Sequence, residues 1–301
     1  MPLLAGQCSR RKQRCETMHP TEEDEVMESR CKKNLSVVRA IVLTVSAVAL
    51  LCQVAMAEGP AVSRINGKVE GLFGKFDSED AYISLGSLTL PAGEPFGIQI
   101  DAAYGKISAD DYGGLGLHAF WRDPDKALLG ITAAYQAIED IDLIRTGFEM
   151  EHYGIENFIL RGAAGYQWGD VPHGVYASVG VNYYPTAYLM VGAESELARD
   201  DFLQTVAIEV QPMQEKCPGL SLVAEGALGE DNYDRFVVGI RYYFGEKQSL
   251  RARHRNEDPP SLLPDGMLQL QSEHEEEAEE RPRRRKPRRP PNGKYPPNGV
   301  E

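Results

Sequence analysis

The chain has 301 residues, 42% hydrophobic and 26% charged, which is enough for one large domain or two small ones. Its 45 acidic residues outnumber 32 basic ones, for a net charge of −13, which excludes nucleic acid as the main partner because phosphate binding needs clustered Lys and Arg.

The first feature in chain order is an apolar run at 40–51 (AIVLTVSAVALL), too short to span a bilayer as a helix. Arg30, Lys32, Lys33 and Arg39 precede it, and the small-x-small triplet Ala55-Met56-Ala57 follows. Basic, apolar, then small is the order of a secretory signal peptide, with cleavage expected after Ala57. The acidic stretch Glu22, Glu23, Asp24 and Glu25 does not belong in such a signal, and a start at Met27 would leave it out. Cys52 suggests a lipoprotein, but Leu51 before it is too bulky, and Arg10-Arg11 lies too far upstream for twin-arginine export. Cys8, Cys15, Cys31 and Cys52 leave with the signal. The remaining Cys217 can form neither an internal disulfide nor a Cys-cluster zinc site.

Residues 58–245 alternate with period two, so every second side chain shares a face. Phe96, Ile98, Ile100, Ala102 and Tyr104 form one such set; Phe158, Leu160, Tyr166 and Trp168 a second; Phe202, Val206, Ile208 and Val210 a third; Phe236, Val238, Ile240, Tyr242 and Phe244 a fourth. The pattern predicts about 12 strands (10–14), near 63–76, 81–90, 95–107, 112–122, 127–137, 142–153, 157–168, 174–185, 188–198, 202–213, 218–229 and 232–244. Eleven residues at about 3.3 Å each, tilted near 40°, rise roughly 28 Å, close to the hydrocarbon thickness of a bilayer. One set of connections reads as short turns (91–94, 123–126, 154–156, 185–187). The alternate set carries Asp77, Glu79, Asp80, Asp110, Asp111, Glu139, Asp140, Asp142, Asp170, Asp200, Asp201, Glu230 and Asp231. An up-and-down barrel would gather these into one acidic rim, expected to face outward, and one rim of tight turns facing the periplasm.

A soluble barrel would turn its apolar face inward. Here the polar face holds Lys68, Glu70, Asp101, Arg145, Glu149, Glu151, Arg161, Glu194, Glu196, Glu209, Glu225, Arg235 and Arg241 among many Gly and Ala, which suits a crowded wet interior where ions pair. In lipid every backbone polar group must be satisfied internally, so such a chain closes into an all-β, single antiparallel up-and-down transmembrane barrel. Tyr104, Tyr135, Tyr183, Tyr188 and Tyr242 are placed to form its interfacial girdle. Residues 246–301, with the acidic block at 275–280 and the basic run RPRRRKPRRPP at 281–291, read as a disordered periplasmic tail.

The pattern resembles bacterial outer-membrane β-barrels with a porin-like fold. Gly239-Ile240-Arg241-Tyr242-Tyr243-Phe244 is similar to the family's last-strand signal, Gly-x-x-aromatic-x-aromatic, with Gly239, Tyr242 and Phe244 as its key positions. It departs from the family in having Val237 where a polar residue is usual and in continuing well past the last strand. GLHAFWRDP at 116–124 and the Arg-rich 251–255 are similar to stretches of proteobacterial barrels. The resemblance implies location in the bacterial outer membrane, contact with its lipid and lipopolysaccharide, and insertion by the barrel-assembly machinery.

No chemistry-bearing motif stands out. His118, His152 and His173 are the only histidines of the expected barrel. There is no G-x-S-x-G elbow, HExxH or phosphate-binding glycine loop, so no cofactor, metal or catalytic set is expected. Twelve strands enclose more than a side-chain-filled eight-strand barrel and less than a general porin, which predicts a narrow pore, and five interior bases against eight interior acids predict a mild cation preference if its lumen is open. The alternatives are a non-conducting structural or anchoring barrel and, more remotely, a lipid-modifying enzyme.

Overall fold

The computed structural model describes residues 59–76, 79–199, 201–229, 233–245, 247–263, 266–267 and 269–273. The expected signal peptide and the charge-blocked stretch beyond residue 273 lie outside the described residues. Twelve strands succeed one another in chain order: β1 (Asn66–Phe76), β2 (Glu79–Pro91), β3 (Phe96–Ile107), β4 (Asp110–Asp123), β5 (Ala127–Ile138), β6 (Ile141–His152), β7 (Phe158–Gly169), β8 (Gly174–Thr186), β9 (Leu189–Ala198), β10 (Asp201–Val210), β11 (Leu220–Gly229) and β12 (Asp234–Phe244). Each pairs antiparallel with its sequence neighbour, and β1 closes the sheet against β12. The seam runs in register from Gly67 opposite Phe244 to Phe76 opposite Arg235. At Gly239 a Cβ would lie 2.3 Å from Gly71 O, so the two backbones approach there as only glycine permits.

Closure satisfies the backbone, and the side chains then divide by parity. Every strand presents at least one large apolar residue to the outside: Phe73, Leu115, Ile131 and Phe148 are 58–70% exposed. Along the inner face of the same strands lie Lys68, Gln99, Asp101, His118, Arg145 and Glu209, all buried. A continuous greasy exterior around a charged interior is unstable in water and stable in lipid. The outward aromatics also collect at two heights. Tyr82, Tyr104, Tyr135, Tyr166 and Trp168 lie toward one rim, and Phe96, Phe158, Tyr183, Tyr242 and Phe244 toward the other. Within these girdles Phe158 stacks on Tyr183 with ring centroids 4.8 Å apart, and Tyr242 meets Phe244 edge-on at 5.1 Å. Amphipathic rings at both membrane–water interfaces are what such a barrel requires.

The terminal rim holds the start of β1 and the end of β12, and the opposite rim gathers the acidic connections. Loop length does not separate the two as expected. The acidic rim has two-residue turns at 108–109 and 139–140, whereas the terminal rim carries the nine-residue connection 211–219. Ser108, Glu139 and Arg199 adopt positive φ (50–58°), the conformation that tight antiparallel turns demand.

The expectation of a disordered tail from residue 246 is corrected for the part described. After β12 comes helix α1 (Leu250–Asn256), capped by Ser249, whose Oγ accepts from Ala252 N–H at 3.4 Å, with Arg253, His254 and Arg255 in its last turn. Residues 258–263 then run inside the barrel, and 267 and 269–273 are helical. Leu250, Leu263, Met267 and Leu270 are at most 2% exposed. Burying each contributes on the order of 1.5–3 kcal/mol, a gain that the tail's average composition conceals.

Candidate functional site

The lumen brings the thirteen polar-face residues together, and most of them pair. Across the β1–β12 seam, Arg241 donates to Glu70 at 2.8–3.0 Å and also to Glu209 on β10. Arg145 reaches Glu196 at 2.7 Å, Arg161 reaches Glu194 at 2.6 Å, and Arg235 bonds Glu225. Lys68 donates to Pro259 O of the C-terminal segment at 3.0 Å. Glu151 accepts from Tyr153 Oη at 2.6 Å.

Asp101 and Glu149 flank His118, which was absent from that set. Its Nε2 lies 3.0 Å from Asp101 Oδ2 and its Nδ1 3.0 Å from Glu149 Oε1. A ring with a carboxylate at each nitrogen donates from both only as the imidazolium, so this histidine acts as a buried cation between two acids. Neither ring nitrogen is left as an acceptor for a serine proton. Ser195 faces outward and accepts from Gln204 at 2.9 Å.

The residues expected to form the last-strand signal lie on β12: Gly239 at the seam, Tyr242 and Phe244 facing outward at 40% and 47% exposure.

The C-terminal segment fills the β1–β6 side of the lumen. Beside it a cavity of about 230 Å³ remains, bounded by β6–β12 and, across the seam, by β1 and β2; it is lined by seven glutamates (70, 149, 151, 194, 196, 209 and 225) and Asp258 against Lys68, Arg161, Arg235 and Arg241. Toward the acidic rim the lumen narrows into an apolar cluster in which Phe76, Ile107, Tyr112, Ile138 and Leu143 surround Leu263, Met267 and Leu270. Nothing in the strand pattern signalled this seal. Its wall residues sit on the inner face but near strand ends, where period-two reasoning treats them as ordinary alternation.

Helix α1 is locked at the terminal rim. Arg253 donates to Phe244 O and to Asp258, both at 3.0 Å, and Glu257 accepts from Asn66 Nδ2 at 2.7 Å. His254 lies between Tyr184 Oη (2.8 Å from Nδ1) and Tyr243 Oη (2.9 Å from Nε2), and Tyr243 Oη donates onward to Glu209. That chain is complete with a neutral ring accepting at Nδ1 and donating at Nε2. Burial, helped by Arg241, Lys68 and Arg161 and opposed by Glu209, holds His254 at about 3, below its ordinary 6.5.

A lowered value means that the undocked helix takes up a proton where the docked one does not. Docking is therefore unaffected above about pH 6.5 and weakens as pH falls from there toward 3, by up to about 1.4 kcal/mol per unit. In symmetric KCl, lowering the pH from 7 to 4 is expected to raise the time spent in a high-conductance state. His254→Asn, which never charges, should show no such rise.

These features define the class: the chain forms a closed twelve-strand antiparallel β-barrel of the membrane-spanning kind, with a belt for lipid outside and an ion-paired lumen inside. No protein-family model matches the sequence, and no curated protein does. Among solved structures it is similar to a KdgM porin (10% identity, TM-score 0.48, covering 59% of this chain and 99% of that one). It is also similar to the outer membrane protein Omp33 of Acinetobacter baumannii (12%, 0.43, 60% and 98%). A third is an outer membrane channel from Pseudomonas putida F1 (13%, 0.43, 60% and 95%). At such identities the likeness is one of barrel fold alone.

Proposed function

We propose that the protein is a narrow, cation-preferring channel throttled by its own C-terminal segment. The observation that carries this reading is the charged cavity beside the segment, where eight carboxylates meet four cationic side chains in the wall and Arg145, His118 and Arg253 behind it, leaving a slight acidic excess. A lumen with that excess lowers the energy of a passing cation and raises that of an anion. A second reading, a non-conducting anchoring barrel, draws on the apolar cluster around Leu263, Met267 and Leu270.

Planar-bilayer recording separates them. The purified full-length protein should give small discrete steps with a reversal potential favouring cations. Glu194→Gln removes one lumen charge at the Arg161 pair and should shift that potential toward zero by several millivolts without altering heat-modifiable gel mobility. A folded barrel that stays electrically silent at neutral pH would leave the anchoring reading in place.

A further inference from the structure

Both ends of the barrel proper lie on the terminal rim, yet the C-terminal segment does not stay there. Its contacts mark depth. Asp258 and Pro259 meet Thr89 and Gln99, each about three residues from the terminal-rim end of its strand. Leu262 N–H donates at 3.2 Å to Asp101, sixth of the twelve residues of β3 and therefore near the membrane midplane. Leu263 then packs over Gly114 and Gly266 lies against Leu143, the fifth and third residues from the acidic-rim ends of β4 and β6. Gln269 accepts from Arg145, the fifth residue from the acidic-rim end of β6, at 3.0 Å, Leu270 belongs to the apolar cluster that holds Phe76, Ile107, Tyr112 and Ile138, and Ser272 is exposed.

We infer that the barrel carries its own C-terminal segment across the membrane, entering at the terminal rim and delivering residue 273 to the acidic-rim side. Polar contacts at the entrance and middle satisfy an otherwise unpaired extended backbone, and apolar anchors hold the far end. The consequence is that the chain after Glu273, which includes the seven basic residues of 281–291, starts on the side of the acidic loops. This placement holds whether or not the lumen conducts.

The test uses the full-length chain in intact cells with a membrane-impermeant maleimide, comparing single-cysteine variants on a background in which all five native cysteines are replaced by serine. Asp140→Cys marks the acidic rim, and Glu215→Cys, exposed in the β10–β11 connection, marks the terminal rim. Ser272→Cys, and an epitope appended after Glu301, report on the segment. Folding of each variant is checked by heat-modifiable mobility. The expected result is that both reporters are reached from the side that labels Asp140→Cys and are protected on the side that labels Glu215→Cys. Reporters reached together with Glu215→Cys would place the segment back on the terminal rim and overturn the inference.

Discussion

Ending the chain after Gly245 is expected to raise single-channel conductance about fivefold or more, with the barrel still closed. Twelve strands about 4.8 Å apart and tilted near 40° give a circumference of roughly 75 Å and a backbone radius near 12 Å. Lining side chains reduce that to a bore on the order of 10 Å, most of which helix α1 and the residues after it now occupy. The seam that closes the barrel lies wholly between β1 and β12 and ends at the Phe244 pair, so closure does not depend on residues beyond Gly245. A version that keeps the chain whole is Leu263→Glu with Leu270→Glu. It places two carboxylates in the apolar cluster at the acidic rim and should favour the same high-conductance state by unseating the segment. Equal conductance in wild type, truncated and double-substituted proteins, all heat-modifiable, would show that the segment does not lie in the ion path.

The barrel was legible in the sequence because its signal is local. Phe96, Ile98 and Ile100 alternate with Gly97, Gln99 and Asp101, an order that marks a strand with two unlike faces, and the opposite charges along the polar face said which one looks inward. Placing Arg145, Glu196, Arg161 and Glu194 on one inner face needed only parity. Pairing Arg241 with Glu70 needed the closed seam, a contact between residues 171 apart. The threaded segment was the least legible part. Leu250, Leu263, Met267 and Leu270 keep neither a period of two nor one sustained helical face, and the acidic and basic blocks at 275–291 dominate the composition of everything after Gly245. Segment averages suppress a few well-spaced anchors. The role of His118 was hidden for a related reason: its two carboxylate partners, 17 and 31 residues away, become neighbours only through register.

Arg241→Met should produce the largest single-site loss of stability, on the order of 3–5 kcal/mol, read as the shift of the urea unfolding midpoint in lipid vesicles. Arg241 sits directly opposite Glu70 across the seam, so this ion pair joins the first strand to the last. The same guanidinium reaches Glu209, whose side chain is 1% exposed, while that of Glu70 is 8% exposed. Removing the cation leaves two carboxylates facing each other in a lumen where water is scarce, and the cost arises from those uncompensated charges more than from lost attraction. If uncompensated charge is the cause, removing the acids as well must relieve it. The triple variant Glu70→Leu, Glu209→Leu, Arg241→Met should recover most of the loss, because an ion-paired cluster replaced by well-packed apolar side chains is close to neutral. A triple variant as unstable as Arg241→Met alone would mean that Arg241 matters through its packing against Tyr243, whose ring centroid lies 5.9 Å from the guanidinium carbon, and that the charge network is not what holds the seam.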